Sequence, residues 1–114
     1  MEDTPEVRHF EYRTPRHPFS ATLDVEVAQG ERCRVIKVQG IDISVDGIAV
    51  EADHQFGPEE PVILMVPLWE HSVVRITGRL LYQSEDQCRF AFEFCSADQC
   101  VQIQELVTQL SRHR

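Results

Sequence analysis

The chain has 114 residues, which suits one domain with a substantial core but leaves no room for two. Its formal net charge of −8 argues against nucleic acid as a partner, because binding a duplex depends on neutralising phosphates. The longest apolar run, Val62 to Trp69, is too short for a membrane span of ~20 residues, and the N-terminus lacks a signal pattern, so we expect a cytoplasmic protein.

The first 19 residues are predicted to form a flexible arm in front of a single domain at 20–114. Prolines are frequent in this segment and prevent a helix. The segment also carries closely spaced cationic side chains, which are Arg8, Arg13, Arg16 and His17. In an acidic protein, an anionic ligand must be held by such a local basic cluster.

Six short strands are predicted between the arm and the C-terminus. Residues 21–27 alternate apolar and polar side chains, which is typical of a half-buried strand. The continuous apolar run at 62–68 predicts a strand that is buried on both faces. The remaining strands are predicted at 32–38, 41–50, 73–82 and 88–95. A turn at Asp46-Gly47 interrupts the 41–50 strand. Six short strands separated by turns favour a small antiparallel barrel.

Two further patterns predict the core and the end of the fold. Phe90, Phe92 and Phe94 alternate along the last strand and should face the core together. Apolar residues then recur at helical spacing in Ile103, Leu106, Val107 and Leu110. Residues 96–99 have the sequence of a capping box, so one amphipathic helix is predicted to begin there and to lie on the barrel.

A compact polar corner, Asp42-x-Ser44-x-x-Gly47, follows the second predicted strand. In an extended chain, side chains two residues apart share a face, so Asp42 and Ser44 should point the same way. The carboxylate could accept two parallel bonds from the N1–H and N2–H2 donors of a guanine. Ser44 could bond a base or phosphate edge, or could tie down the loop, and Gly47 is free to take a positive φ. The alternative is an ordinary Asx or Ser turn.

Arginines on the arm complement this corner. The planar guanidinium of Arg13 or Arg16 can pair with guanine O6 and N7 or with phosphate oxygens. The alternative is a solvated tail without a ligand. The order of the elements favours the first interpretation, since the arginine arm, one hairpin and the acidic corner precede the rest of the barrel.

The chain resembles the PilZ domain family, small bacterial barrels that serve as receptors for cyclic di-GMP. The family has a (D/N)xSxxG motif, which Asp42, Ser44 and Gly47 match in full. The 15–19 segment resembles the residues that lead into the first strand of the family. The Phe-x-Phe-x-Phe pattern followed by a capped helix resembles the C-terminal part of the family's fold. The resemblance covers about residues 8–111.

The family's other motif, RxxxR on the arm, is matched less closely. If Arg16 is the second arginine, the first position is occupied by Tyr12, whereas Arg13 lies one residue late and Arg8 too early. The pair Arg13 and His17 has the family spacing with the second arginine replaced. Arg8, Tyr12 and His17 are therefore secondary candidates, and Tyr12 could stack on a base.

The resemblance implies a non-enzymatic cytoplasmic receptor that binds cyclic di-GMP and regulates a partner protein. The implied ligand-binding residues are Arg13, Arg16, Asp42, Ser44 and Gly47. No catalytic constellation, metal-ligand spacing or cofactor motif is found in the sequence. The alternative is a degenerate PilZ domain that acts as a ligand-independent protein-interaction module, with its partner surface on the helix or around Trp69.

Overall fold

The computed structural model describes residues 14–57 and 60–112. The elements are seven strands, a short 3-10 helix and one α-helix. The strands are β1 (His17–Pro18), β2 (Thr22–Gln29), β3 (Arg32–Ile43), β4 (Gly47–Glu51), β5 (Val62–Pro67), β6 (Val73–Gln83) and β7 (Gln87–Glu93). The 3-10 helix is Trp69–His71, and the α-helix, α1, is Ala97–Arg112.

Strands β2 to β7 form a closed antiparallel barrel, as predicted. Neighbouring strands follow the order β3-β2-β5-β6-β7-β4, and β4 pairs back onto β3. Strand β1 belongs to the segment predicted as the arm, and it pairs with the end of β3 through His17 opposite Ile43 and Pro18 opposite Asp42. The described end of the arm, residues 14–19, therefore lies against the strand that leads into the polar corner.

The predicted boundary between the second and third strands is wrong. The chain does not break after Val38 but continues as one strand, β3, through Gly40 to Ile43. A Cβ atom on Gly40 would lie 2.5 Å from the carbonyl oxygen of Phe19. The glycine therefore serves a close approach between β3 and the segment after β1, and it does not mark the end of a strand.

The prediction that β5 is buried on both faces is also wrong. Val62, Leu64 and Val66 are fully buried, whereas the residues between them are only half-buried. A barrel strand has one face toward the core and one toward the outside. The outward side chains of β5 are apolar but do not belong to the core.

The alternating phenylalanines of β7, and Phe94 directly after the strand, face the core as predicted. Phe90 is completely buried and Phe92 is 8% exposed, while Phe94 packs against the core from its margin. The Phe90 ring meets Phe56 edge-on, with 5.3 Å between ring centroids. Phe56 comes from the β4–β5 connection, so this contact fastens that connection to the barrel core.

Helix α1 packs its predicted apolar face onto the barrel. Ile103, Leu106 and Val107 are buried, and Leu110 packs against the core cluster. Leu106 and Leu110 also line a cleft with Trp69, whose side chain is 46% exposed. Within the described residues, no helix is long and apolar enough to cross a bilayer.

The predicted capping box at 96–99 is present with one change. The backbone N–H of Gln99 donates to Ser96 Oγ over 3.3 Å, as the motif requires. The Gln99 side chain accepts from the backbone N–H of Cys95 at 2.8 Å, one residue before the partner expected in a capping box. Its amide nitrogen also donates to the carbonyl oxygen of Arg75 at 2.7 Å. Gln99 therefore joins the start of α1 to β6.

We predict that the four cysteines react with thiol reagents in the order of their exposure. Cys33 and Cys95 are exposed, whereas Cys88 is buried and burial raises the pKa of its thiol. Because the thiolate is the reactive form, Cys88 should react last in the native protein at pH 8. Time-resolved labelling followed by peptide mass spectrometry measures this order. Labelling of Cys88 as fast as Cys33, without denaturant, would contradict the described packing of β7.

Candidate ligand-binding site

The polar corner lies at the connection between β3 and β4. Asp42 is the penultimate residue of β3, Ser44 follows the strand, and Gly47 is the first residue of β4. The three residues therefore occupy one tight loop at an end of the barrel. The preceding segment, with β1, passes beside it.

Ser44 is turned into the protein and holds the loop together. It is the only fully buried polar residue among those that the structure describes. Its hydroxyl donates to Asp46 Oδ1 over 2.5 Å, and its backbone N–H donates to the carbonyl oxygen of Gly47 over 2.9 Å. The Asp42 side chain remains 24% exposed. The contacts of Ser44 therefore give it the loop-tying role, whereas Asp42 faces the surface.

Asp46 is a member of the site that the sequence-based candidates do not include. Its carboxylate accepts from Ser44 through Oδ1 and from Thr14 Oγ1 through Oδ2, the latter over 3.0 Å. Its carbonyl oxygen accepts from the backbone N–H of Phe92 over 2.9 Å. Asp46 therefore joins the arm, the loop and β7. In the sequence it is the first half of an Asp-Gly turn dipeptide, which carries no sign of these contacts.

Gly47 permits a close approach of two strands and does not adopt the positive φ that its position in the motif would allow. Among the described glycines, only Gly30 has a positive φ, at 63°. A Cβ atom on Gly47 would lie 2.5 Å from the carbonyl oxygen of Phe90. This glycine lets β4 and β7 approach closely, and it thereby sets the position of the loop that begins at Asp42.

Arg16 reaches across to the polar corner. Its Nη1 donates to Asp42 Oδ1 over 3.1 Å, and the two side chains are 35% and 24% exposed. The pairing of β1 with the end of β3 places the two residues together, because Pro18 lies opposite Asp42. His17 is half-buried beside them in β1. Arg8, Tyr12 and Arg13 lie outside the described residues.

This geometry forms a partly exposed ion pair on the outer face of the barrel. Only one guanidinium nitrogen of Arg16 and one carboxylate oxygen of Asp42 take part in the bond. The other donors and the other oxygen remain for a ligand that carries both anionic oxygens and planar N–H donors. A nucleotide with a guanine base has both kinds of group.

Comparisons with known proteins agree with this architecture. The family model described as the PilZ domain matches residues 9–109. No curated protein sequence matches the chain significantly. The chain is similar to the crystal structure of the PilZ domain of CeSA from a cellulose-synthesizing bacterium, with a TM-score of 0.63 and 21% identity. That match covers 86% of this chain and 99% of the other.

Two further solved structures have the same fold. The PilZ domain of YcgR from Escherichia coli, solved with c-di-GMP, has a TM-score of 0.63 at 16% identity and covers 89% of this chain and 92% of its own. The inhibitor of motility of Bacillus subtilis (MotI/DgrA) has a TM-score of 0.59 at 25% identity. The match covers 90% of this chain but 53% of that one, so this chain spans about half of its length.

Proposed function

The chain belongs to the PilZ domain family, and we propose that it is a cyclic di-GMP receptor that regulates a partner protein. The observation that carries the proposal is the bond between Arg16 and Asp42. It joins the two motif elements that a guanine nucleotide would need, although they are 26 residues apart in the sequence. The presence of c-di-GMP in the similar YcgR structure supports the same ligand class here.

In the proposed complex, the ligand takes over the groups that now bind each other. The phosphate or the Hoogsteen edge of guanine attracts the Arg16 guanidinium, with Arg13 contributing from the same arm. The freed Asp42 carboxylate then accepts from guanine N1–H and N2–H2. Ser44 and Gly47 complete the site by fixing the loop on which Asp42 is presented, with the hydroxyl of Ser44 bonded to Asp46.

Regulation follows from the arm's place in the site. Thr14 and Arg16 attach the arm to Asp46 and Asp42. A ligand that draws Arg16 away from Asp42 alters how the arm lies on the barrel, and thus changes the surface offered to a partner. This is the action of an adaptor and requires no catalysis. The four free thiols fit the proposed cytoplasmic location.

Isothermal titration with cyclic di-GMP tests the proposal, and cyclic di-AMP is the matched control ligand. We expect saturable binding of cyclic di-GMP and affinity for cyclic di-AMP that is at least ~10-fold weaker. The reason is that adenine presents an acceptor at N1, where Asp42 requires a donor. Absence of heat with cyclic di-GMP, or equal affinity for the two ligands, would contradict the proposal.

A further inference from the structure

A row of outward side chains leads from Asp42 across the barrel. The strand pairing places Asp42 opposite Ala49, Ala49 opposite Arg89, and Arg89 opposite Tyr82. On β7, the residues on either side of Arg89 are core residues, so Arg89 itself faces outward. With ~4.8 Å between neighbouring strands, Arg89 lies roughly 10 Å from Asp42 and Tyr82 roughly 14 Å from it.

Arg89 is a half-buried cation that no described acidic side chain neutralises. Four ion pairs join described residues, and the two on this part of the barrel are Arg16 with Asp42 and Arg79 with Glu93. Arg89 is in none of them, and within the described chain it makes no contact of this kind. In the strand pairing, the residue between Asp42 and Arg89 is Ala49, which has a short side chain that is 4% exposed. An anion placed there would find an uncompensated guanidinium.

Tyr82 adds an exposed aromatic ring at the far end of the row. The pairing of β6 with β7 shifts between Leu80 and Tyr82, so that Leu81 and Tyr82 together oppose Arg89. A bulge of this kind directs extra side chains to the outer face. Leu81 and Tyr82 are 53% and 57% exposed, so both side chains are open to a ligand on the outer face. The exposed Tyr82 ring can stack on a nucleobase, and the neighbouring guanidinium of Arg89 can bind the phosphate attached to that base.

We propose that the ligand site extends beyond the Arg16–Asp42 corner to a second subsite formed by Arg89 and Tyr82. This inference rests on the proposed function and assigns the two halves of the dinucleotide. One guanine is held at Asp42, while Arg89 contacts a phosphate or the second guanine and Tyr82 stacks on that base. The subsite explains how one copy of the chain can bind a ligand with two bases although the first arginine of its RxxxR motif is not at the expected position.

Titration calorimetry with cyclic di-GMP on four proteins tests the subsite. These are the wild type, Arg89→Ala, Tyr82→Ala and the control Arg79→Ala, whose guanidinium is on the same face but is already paired with Glu93. We expect the Kd to rise at least ~10-fold for Arg89→Ala and roughly 5-fold or more for Tyr82→Ala. Arg79→Ala should stay within about twofold. Arg89→Gln replaces Arg89→Ala if the latter does not fold.

The salt dependence of the Kd separates contact with the ligand from a structural role. Removing a guanidinium that binds a phosphate should make the Kd less sensitive to added NaCl, and Tyr82→Ala should leave that sensitivity unchanged. If the wild type binds and Arg89→Ala binds within twofold of it, the subsite is refuted while the receptor assignment stands. If the wild type itself does not bind, the receptor assignment fails and the subsite fails with it.

Discussion

Replacing Arg16 by alanine is expected to weaken cyclic di-GMP binding by roughly 10- to 150-fold. A charge-assisted hydrogen bond is worth about 1.5–3 kcal/mol, and each 1.4 kcal/mol is a factor of ten in affinity. Arg16 is the described residue that reaches from the arm to Asp42, so its loss removes the described cationic partner of Asp42. Calorimetric titration of the variant measures the change in Kd directly.

The fold should survive this substitution. The Arg16–Asp42 pair is partly exposed, and such pairs contribute only about 0–1 kcal/mol to stability. A matched control is Arg75→Ala, which breaks a two-pronged pair with Glu26 elsewhere on the barrel. Both variants should melt close to the wild type, but only Arg16→Ala should lose affinity. Equal losses of affinity in the two variants would mean that overall charge, not the corner, controls binding.

Replacing Phe90 by alanine is expected to cost about 3–5 kcal/mol in the free energy of unfolding. Phe90 is fully buried, and its ring packs edge-on against Phe56. The truncation therefore leaves a cavity between β7 and the β4–β5 connection. Urea unfolding followed by circular dichroism measures the loss, which should also lower the Tm by more than ~10 °C.

Phe94→Ala is the control for this second variant. Phe94 has the same side chain close by in the sequence, but it packs at the margin of the core and is only partly buried. It should cost clearly less than Phe90→Ala. If the two variants are equally destabilised, then burial in the barrel does not determine the stability of this region.

Most of the barrel could be predicted from the sequence because its signals are local. Alternation along β2 and β7 reveals which side chains face the core, and the change to helical spacing reveals α1. The errors arise where a residue type has two physical uses. A glycine such as Gly40 often marks the end of a strand, but this one lies where the backbone of Phe19 passes within contact distance. Such contacts join segments distant in sequence and leave no local pattern.

The binding site could be predicted only in part from the sequence, for the same reason. The motif spacing identifies Asp42, Ser44 and Gly47 as a unit, and it indicates an arginine partner from the arm. It cannot reveal that Asp46 bonds Thr14, or that Gly47 is set by its distance to the backbone of Phe90. The row from Asp42 to Tyr82 depends on strand register across three pairings. Register follows from closure of the whole barrel, and no single segment encodes it.

The most direct measurement for the account is a ¹⁵N–¹H correlation spectrum recorded during titration with cyclic di-GMP. If the ligand opens the Arg16–Asp42 pair, the largest shifts should fall on the amides of residues 16, 17 and 42–47 and on the side-chain guanidinium signal of Arg16. The amides of β5, on the other side of the barrel, should hardly move. Saturating ligand that leaves the 42–47 amides unshifted, or that shifts mainly β5, would contradict the central claim that this corner is the receptor site.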